Sequence, residues 1–489
     1  MKQITFKDSW STNIKVDILS GITVAFALIP EAIAFSLICG VDPIIGLHAS
    51  FCIAVIIAIF GSRSGMISGA TGAMALVMVS LVKGHGVEYM FAATVLTGIL
   101  LLVCSRLKFG ELINFVPDSV VHGFVNALAI LIFMAQLPHF VGSSWVMYAM
   151  VAATLGIIYI FPKFTQAVPS ALVAIIAMII FTQVAGLHVK TVGDMGTITA
   201  SLPMFHLPNI PFTLETLKII LPYSITLCMV AIIESLLTAA RIDEITDTKS
   251  EKNIEINGQG LANLIAGFFG GMAGCALIGQ SIINIKSGGR GRLSTLTSGV
   301  VLLFLVLCLS DVVKSIPIAA LVGVMIMVSI GTFEWKSFKE LGKMPKNCAL
   351  SMIATMCVIV FSHNLALGVL TGIIISSLVF TWKTNSVSAK KCVVEENGIE
   401  NMHYKIHGQL CFASTSKFIE LFNYAGEYEH VTIDFEVSNV WDYSAVNCIL
   451  KVKEKYEKRG KNLYIIGLNQ RSTRVINKMN PSITRLVNP

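Results

Sequence analysis

The chain has 489 residues, of which 54% are hydrophobic and only 13% are charged. Soluble domains carry about 25% charged residues, so this composition excludes an ordinary water-soluble protein. The formal net charge of +7 falls mostly in loops between apolar runs and does not indicate a nucleic-acid partner. Eleven cysteines are scattered without a Cys-x-x-Cys spacing, which indicates reduced thiols rather than metal sites or disulfides.

Apolar runs long enough to cross a bilayer recur as far as Trp382. They predict an all-α polytopic membrane domain over residues 1–385, with fourteen segments in two groups of seven. The first group lies near 16–38, 43–61, 65–83, 88–105, 118–137, 147–161 and 168–187. The second group lies near 215–240, 256–270, 275–288, 294–311, 315–331, 347–362 and 365–382. An odd number of segments in each group makes the two groups inverted repeats.

The third segment of each group is interrupted by small residues. One opens with the stretch from Ser68 to Ala73, and the other follows a glycine cluster that ends at Gly274. Matched interruptions in two halves of a transporter indicate a site near the membrane midplane. The free amides of such half-helices attract anions. The alternative is that the glycines only allow close helix packing.

Glu234 lies inside the apolar run from Ile219 to Ala240. A carboxylate at that depth is costly and marks an ion or proton pathway by default. Together with the glycine-broken segment, it predicts an ion-coupled anion carrier. An enzyme is not expected, because no nucleophile–base pair or cluster of metal ligands appears.

Lysine and arginine are unevenly distributed between alternate loops. If the amino terminus is cytoplasmic, the outer loops carry only Lys83, Lys190, Lys314 and Lys218. The inner loops then carry Arg63, Arg106, Lys108, Lys163, Arg241, Lys249, Lys252, Lys286, Arg290, Arg292, Lys336, Lys339, Lys343 and Lys346. This bias predicts a plasma-membrane protein with both termini in the cytoplasm.

Residues 386–489 are predicted to form a linker and a small cytoplasmic α/β domain. The charged stretch from Lys383 to Glu396 is interpreted as the linker. Strands alternate with helices after it, which favours a sheet with a parallel portion. The strands are predicted at 403–410, 431–437 and 463–468, and the helices at 414–423, 444–457 and 472–479.

Several motifs taken together resemble the sulfate permease (SulP) family of anion transporters with a carboxy-terminal STAS domain. They are Gly21 to Phe35, Gly46 to Phe51, Glu234 to Thr238, Gly258 to Asn263 and Asn284 to Leu293. The resemblance implies a uracil-permease-like fold, in which a core rocks against a gate and carries the anion between half-helices three and ten. It also implies a homodimer.

The resemblance further implies which residues form the site. Glu234 and Thr238 match a carboxylate and a hydroxyl that bind sodium in the cyanobacterial bicarbonate-transporting member, and Ala276 and Ile278 would add backbone ligands. The anion-binding site would be lined by Glu31, Phe35, Thr71, Gly72, Ala73, Cys275, Ala276, Leu277, Ile278, Gly279 and Gln280.

Three departures from the family pattern bear on the coupling ion and the anion. Ile278 stands where the sodium-dependent relative has threonine, so one sodium ligand is missing and proton coupling is favoured. Glu31 replaces a glutamine and brings a second carboxylate, unless it only caps a broken helix. Gln280 replaces an arginine, so the half-helix dipoles must supply more of the attraction. Phe35 is either an anion neighbour or an ordinary core aromatic.

The leading interpretation is a secondary transporter of a small inorganic anion, sulfate or bicarbonate, coupled to protons or sodium and without a bound cofactor. Dicarboxylate transport is an alternative. An uncoupled channel or exchanger is another, but a passive anion pore gains nothing from a buried carboxylate. A third possibility is a membrane sensor that signals through the soluble domain. Removing the residues after Lys383 would discriminate, because a transporter should retain some flux.

Overall fold

A computed structural model gives the fold. It describes residues 8–11, 13–111, 116–165, 169–195, 201–384, 386–396, 399–426 and 428–479. Contacts between Cα atoms divide the chain into two units, Met1–Ile373 and Ile374–Pro489.

The first unit is almost entirely helical, and a helix or a strand–helix pair occupies each of the fourteen predicted segments. Its elements in chain order are α1 (Asp8–Ser11), α2 (Ile14–Cys39), α3 (Pro43–Phe60), β1 (Ser68–Ala70), α4 (Gly72–His85), α5 (Val87–Arg106), α6 (Asp118–Met134), α7 (Trp145–Ile160), α8 (Ser170–Val184), α9 (Leu214–Thr246), α10 (Lys252–Phe268), β2 (Gly274–Ala276), α11 (Ile278–Lys286), α12 (Arg292–Cys308), α13 (Ser310–Lys314), α14 (Ile318–Thr332), α15 (Trp335–Lys339), α16 (Lys346–Ser362) and α17 (Leu365–Thr384), the last of which continues into the second unit.

Seven helices among the described residues are long and apolar enough to cross a membrane on their own. Five more, including α4 and α12, are apolar but shorter than eighteen residues. The helix α11 has only nine residues, because β2 takes the place of its first turns. The predicted all-α polytopic domain is therefore confirmed, and its two interrupted segments are real breaks in the helical backbone.

The packing of the helices shows the inverted repeat. If the two groups of segments are repeats, a contact between two helices should recur between their counterparts. The pair α3–α12 recurs as α10–α5, the pair α2–α12 recurs as α9–α5, and the pair α6–α16 recurs as α14–α7. These contacts form two groups of helices, joined by contacts such as α2–α14 and α4–α6. The first group, α2–α5 and α9–α12, corresponds to the expected core, and the second, mainly α6–α8, α14 and α16, corresponds to the expected gate.

Loops that share a predicted membrane face also contact one another. On the predicted inner face, Arg63 donates to Thr248. On the predicted outer face, the amide of Ile318 donates to the Lys190 carbonyl at 2.9 Å, and His206 contacts the Glu88 carboxylate at 2.9 Å. The loops thus sort into the two groups that the lysine and arginine bias predicts.

The second unit contains the predicted small α/β domain. Its elements are β3 (Ser388–Glu396), β4 (Ile399–Leu410), α18 (Thr415–Glu420), β5 (His430–Asp434), β6 (Ser438–Val440), α19 (Tyr443–Glu457), β7 (Asn462–Ile466) and α20 (Gln470–Met479). The sheet order is β3-β4-β5-β7, and β6 also pairs with β4. The pairs β4–β5, β4–β6 and β5–β7 are parallel, whereas β3–β4 is antiparallel.

The interpretation of the stretch from Lys383 to Glu396 as a linker is wrong for most of its length. Residues 388–396 form β3, which pairs with β4 over its full length. This strand lies at the edge of the sheet, where charged side chains prevent pairing with other chains. Ala389 packs on the core, and the ammonium of Lys391 lies 5.5 Å from the Tyr404 ring centroid. Composition alone therefore did not predict this strand, because the charged side chains of an edge strand are also typical of a linker.

Candidate functional site

The two breaks in the helical backbone meet each other. β1 and β2 pair antiparallel, with Ser68 opposite Ala276 and Ala70 opposite Gly274. A Cβ atom at Gly274 would lie 2.1 Å from the carbonyl oxygen of Gly69, so only glycine allows this approach. The helices α4 and α11 begin immediately after the paired strands, and their amino ends therefore lie at one place in the core.

The amino ends of these half-helices offer backbone donors. Thr71 caps α4 and accepts a hydrogen bond from the amide of Met74, whereas Leu277 at the start of α11 provides no side-chain cap. The first amides of a helix have no acceptor within the helix. Ile278 is 37% exposed, and a Cβ atom at Gly279 would meet nothing within 4 Å. The first turn of α11 is therefore open to a ligand, and its dipole favours an anion.

Glu234 is buried beside these amino ends. The thiol of Cys275 donates to its carboxylate at 2.7 Å, and the hydroxyl of Thr71 also hydrogen-bonds to it. The same hydroxyl lies 3.4 Å from the Cys275 sulfur. No lysine or arginine among the described residues forms an ion pair with Glu234. The carboxylate is thus held by neutral donors from both half-helices and has no fixed counter-charge.

Thr238 lies one turn after Glu234 on α9 and is fully buried. Its hydroxyl donates to the backbone carbonyl of Glu234 at 2.7 Å, so its proton is used within the helix. Ser235 instead contacts the pair of strands β1 and β2, which we call the crossing. Its hydroxyl accepts a hydrogen bond from the amide of Ala276 at 3.3 Å. The sequence analysis missed Ser235, although its position next to a buried carboxylate was a usable signal.

Side chains of the helix α2 contact both half-helices. Glu31 is half-buried and hydrogen-bonds to the side chain of Gln280 on α11. Phe35 is buried, and its Cε1 atom lies 2.9 Å from where a Cβ atom at Gly72 would stand. The structure therefore places Glu31 near one predicted anion-binding end and the Phe35 ring against the other.

Most of the other predicted lining residues are buried, and two at the start of α11, Ile278 and Gly279, are exposed. The buried ones include Ala73, Leu277 and Gln280.

Polar side chains of α10 hold the crossing together. Asn263 donates to the carbonyl of Gly274 and accepts from its amide, both at 2.9 Å. Gln259 donates to the hydroxyl of Ser68 at 2.9 Å. Outside α10, Ser281 of α11 accepts from the backbone amide of Ile67 at 2.9 Å. In the sequence analysis, Gln259 and Asn263 appear only within the motif from Gly258 to Asn263. Two buried amides spaced i and i+4 in an otherwise apolar helix would have indicated a structural role.

The comparisons with known proteins identify the family of the chain. Residues 14–153 and 143–355 match the sulfate permease family, and residues 392–482 match the STAS domain. The putative sulfate transporter YbaR of Bacillus subtilis is 53% identical, over 97% of this chain and 99% of that protein. The bicarbonate transporter BicA of Picosynechococcus is 25% identical, over 96% of this chain and 91% of that protein.

Solved structures show the same architecture. The transmembrane domain of a cyanobacterial BicA aligns with a TM-score of 0.64 and 27% identity, over 76% of this chain and 98% of that chain. Murine Slc26a9 in the inward-facing state aligns with a TM-score of 0.83 and 15% identity, over 98% of this chain and 88% of that chain, a likeness of fold alone. Because its helical unit, its soluble unit and its nearly full-length bacterial relative all agree, the chain belongs to the sulfate permease family of membrane anion transporters and carries a STAS domain.

Proposed function

We propose that the protein is a secondary active transporter that takes up a small inorganic oxyanion, with sulfate as the first candidate, together with protons. The observation that carries the proposal is the Glu234 carboxylate, which is buried between the two half-helix amino ends without a described cation beside it. A buried ionised carboxylate without a partner is costly, so the site favours taking up a positive charge. An anion that enters next to it increases that preference. Binding of the anion and binding of the coupling cation therefore assist each other.

The choice of sulfate rests on the names of relatives and on the chemistry of the site. The relative with 53% identity is called a putative sulfate transporter. The more distant BicA match makes bicarbonate the second candidate. Both anions present several oxygen acceptors to backbone amides. Uptake into proteoliposomes of labelled sulfate, bicarbonate and a dicarboxylate would decide among them, and accumulation above the outside concentration would exclude a passive channel.

We expect protons rather than sodium to drive uptake. A sodium site needs several oxygen ligands. Here Ile278 supplies no side-chain oxygen, so one hydroxyl ligand of the expected set is missing. Uptake should therefore rise as the external pH falls and should persist when potassium replaces sodium.

The substitution Ile278→Thr sharpens this test. Ile278 is partly exposed at the start of α11, so a threonine fits there and adds a hydroxyl ligand. We expect the variant to gain a measurable dependence on sodium, whereas the size-matched variant Ile278→Val gains none. Strict sodium dependence of the unmodified protein, without any effect of a proton gradient, would reject proton coupling.

We propose that the core moves against the gate to alternate the access of the site. The crossing, Glu234 and the half-helices all belong to the core, whereas α6, α14 and α16 belong to the gate. At the boundary, a Cβ atom at Gly72 would lie 3.1 Å from Ile132 of α6. A contact of this kind, between a glycine and an apolar side chain, can slide without the breakage of a hydrogen bond. We also propose a homodimer in the plasma membrane, which mass measurement of the detergent-solubilised protein would test.

The proposed orientation places both termini in the cytoplasm, and cysteine labelling tests it. Position 196, the obvious outer site, lies outside the described residues, and Ser250 is a poor inner site because it is buried and bonded to Asp243. Met204 and Lys249 are both exposed and replace them.

In a cysteine-free background, Met204→Cys should react with a membrane-impermeant maleimide in intact cells. Lys249→Cys should react only after the cells are opened. The reverse pattern would overturn the orientation.

A further inference from the structure

A cavity of about 450 Å³ lies at the end of the core where α1, the loop 61–64 and the segment after α9 meet. Its lining combines the cations Arg63, Lys249 and Arg292 with hydroxyls such as Ser62, Ser64 and Thr248. This cavity is separate from the residues assigned to the transport site. From the sequence, Arg290 and Arg292 belong to the inner-loop charges, and the structure buries Arg292 in the wall of the cavity.

The arginines are fixed in place by the fold. Arg63 is 6% exposed and donates to the hydroxyls of Thr246 and Thr248 at 2.7 and 2.6 Å. Its buried Nε atom has no hydrogen-bond acceptor among the described residues. Arg292 is 8% exposed and donates to the carbonyl oxygens of Ala58 and Ile59, which end α3. The unpartnered Nε donor of Arg63 is costly to bury, which indicates that an acceptor is missing.

Acidic groups offset only part of this positive charge. Asp243 lies 3.1 Å from a guanidinium nitrogen of Arg63. Glu255 is engaged by the backbone amides of Ser62 and Arg63 at 2.8 and 2.9 Å. The pKa of Arg63 is lowered by burial and by the charge of Arg290, although Asp243 and Glu255 act in the opposite direction. Neither of these two carboxylates lines the cavity, so the polar part of its wall consists of cations and hydroxyls.

We propose that this cavity is a second anion site, which binds a phosphate-bearing ligand, either soluble or the headgroup of an anionic lipid. Arginine forks and lysine are the side chains that bind phosphate oxygens most strongly in proteins. The volume exceeds what one inorganic oxyanion needs, and Ile59, Phe60 and Ile254 offer an apolar wall for a larger ligand.

The site is mechanically connected to the transport site. The loop 61–67 leads directly into β1, and its second half is bonded to α11 and to the residue that precedes α11. Asn284 donates to the carbonyl of Gly65 at 2.8 Å, and the amide of Leu277 donates to the carbonyl of Ile67 at 2.9 Å. A ligand that holds Arg63 therefore also holds the strand that presents Thr71. The second anion site is in a position to regulate transport.

Thermal unfolding of the purified full-length protein tests the proposal, because a ligand that binds only the folded state raises the melting temperature. Potassium pyrophosphate is titrated in detergent against potassium chloride of equal ionic strength. In a second arm, nanodiscs of phosphatidylcholine are compared with nanodiscs that also contain phosphatidylglycerol. The variant is Lys249→Ala, an exposed residue whose loss leaves the buried arginines in place. Lys163→Ala is the matched control, because Lys163 is an exposed lysine that follows α7 in a different predicted inner loop.

We expect at least one probe to raise the melting temperature. In Lys249→Ala, the loss of one charge-assisted contact should weaken the binding of that probe about tenfold. Binding to Lys163→Ala should be unchanged. A response to pyrophosphate identifies a soluble ligand, and a response to phosphatidylglycerol alone identifies a lipid headgroup. The proposal is overturned if neither probe stabilises the protein, or if Lys249→Ala responds like the unmodified protein. Anion binding at the transport site would survive Lys249→Ala, so the result does not depend on the transported substrate.

Discussion

The substitution Glu234→Gln is expected to abolish proton-driven accumulation of the anion in proteoliposomes. Glutamine preserves the volume of the side chain and still accepts a hydrogen bond from the thiol of Cys275, but it cannot take up and release a proton. The anion-binding half-helices remain intact, so exchange of labelled for unlabelled anion across the membrane should continue. The measurement is uptake under an imposed pH gradient, compared with counterflow in the absence of a gradient.

Two controls make this result interpretable. Glu244→Gln lies on the same helix, but its carboxylate is 69% exposed and bonded to Arg241, so it should accumulate the anion normally. The melting temperature of Glu234→Gln should equal or exceed that of the unmodified protein, because a buried uncompensated carboxylate is removed. Accumulation by Glu234→Gln at the rate of the unmodified protein would remove Glu234 from the coupling mechanism.

The substitution Glu31→Gln is expected to reduce the number of protons carried with each anion by one. Glu31 approaches the other half-helix through Gln280, and no described lysine or arginine forms an ion pair with it. A divalent anion between two such carboxyl groups is best tolerated when both are protonated. Accumulation should therefore persist in the variant but reach a lower limit in the same pH gradient.

The ratio of protons to anions follows from the membrane potential at which net flux reverses, measured at a series of pH gradients. Asp311→Asn is a suitable control, since Asp311 is exposed and lies in the short helix α13. An unchanged ratio in Glu31→Gln would mean that Glu31 only supports α11 through Gln280. Complete loss of accumulation would contradict the assignment of Glu234 as a sufficient proton carrier.

The parts of the fold that depend on local pattern were predictable. A membrane segment is recognised from about 20 consecutive apolar residues, and the fourteen predicted segments coincide with observed elements. The glycine-rich interruptions also lay where the backbone breaks. The edge strand β3 was not predictable in this way, because its charges are equally typical of a linker.

Local sequence was enough to predict the membrane architecture, the two interrupted segments and the buried carboxylate of Glu234, because each depends on neighbouring residues. The contacts between these parts depend on how the chain folds. The thiol of Cys275 reaches Glu234 across 41 positions, Ser68 pairs with Ala276 across 208, and Arg292 ends on α3 across 234. No local pattern encodes such pairings, since they arise when helices far apart in the chain pack together. For that reason the second anion site and the donors to Glu234 became visible only in the folded protein.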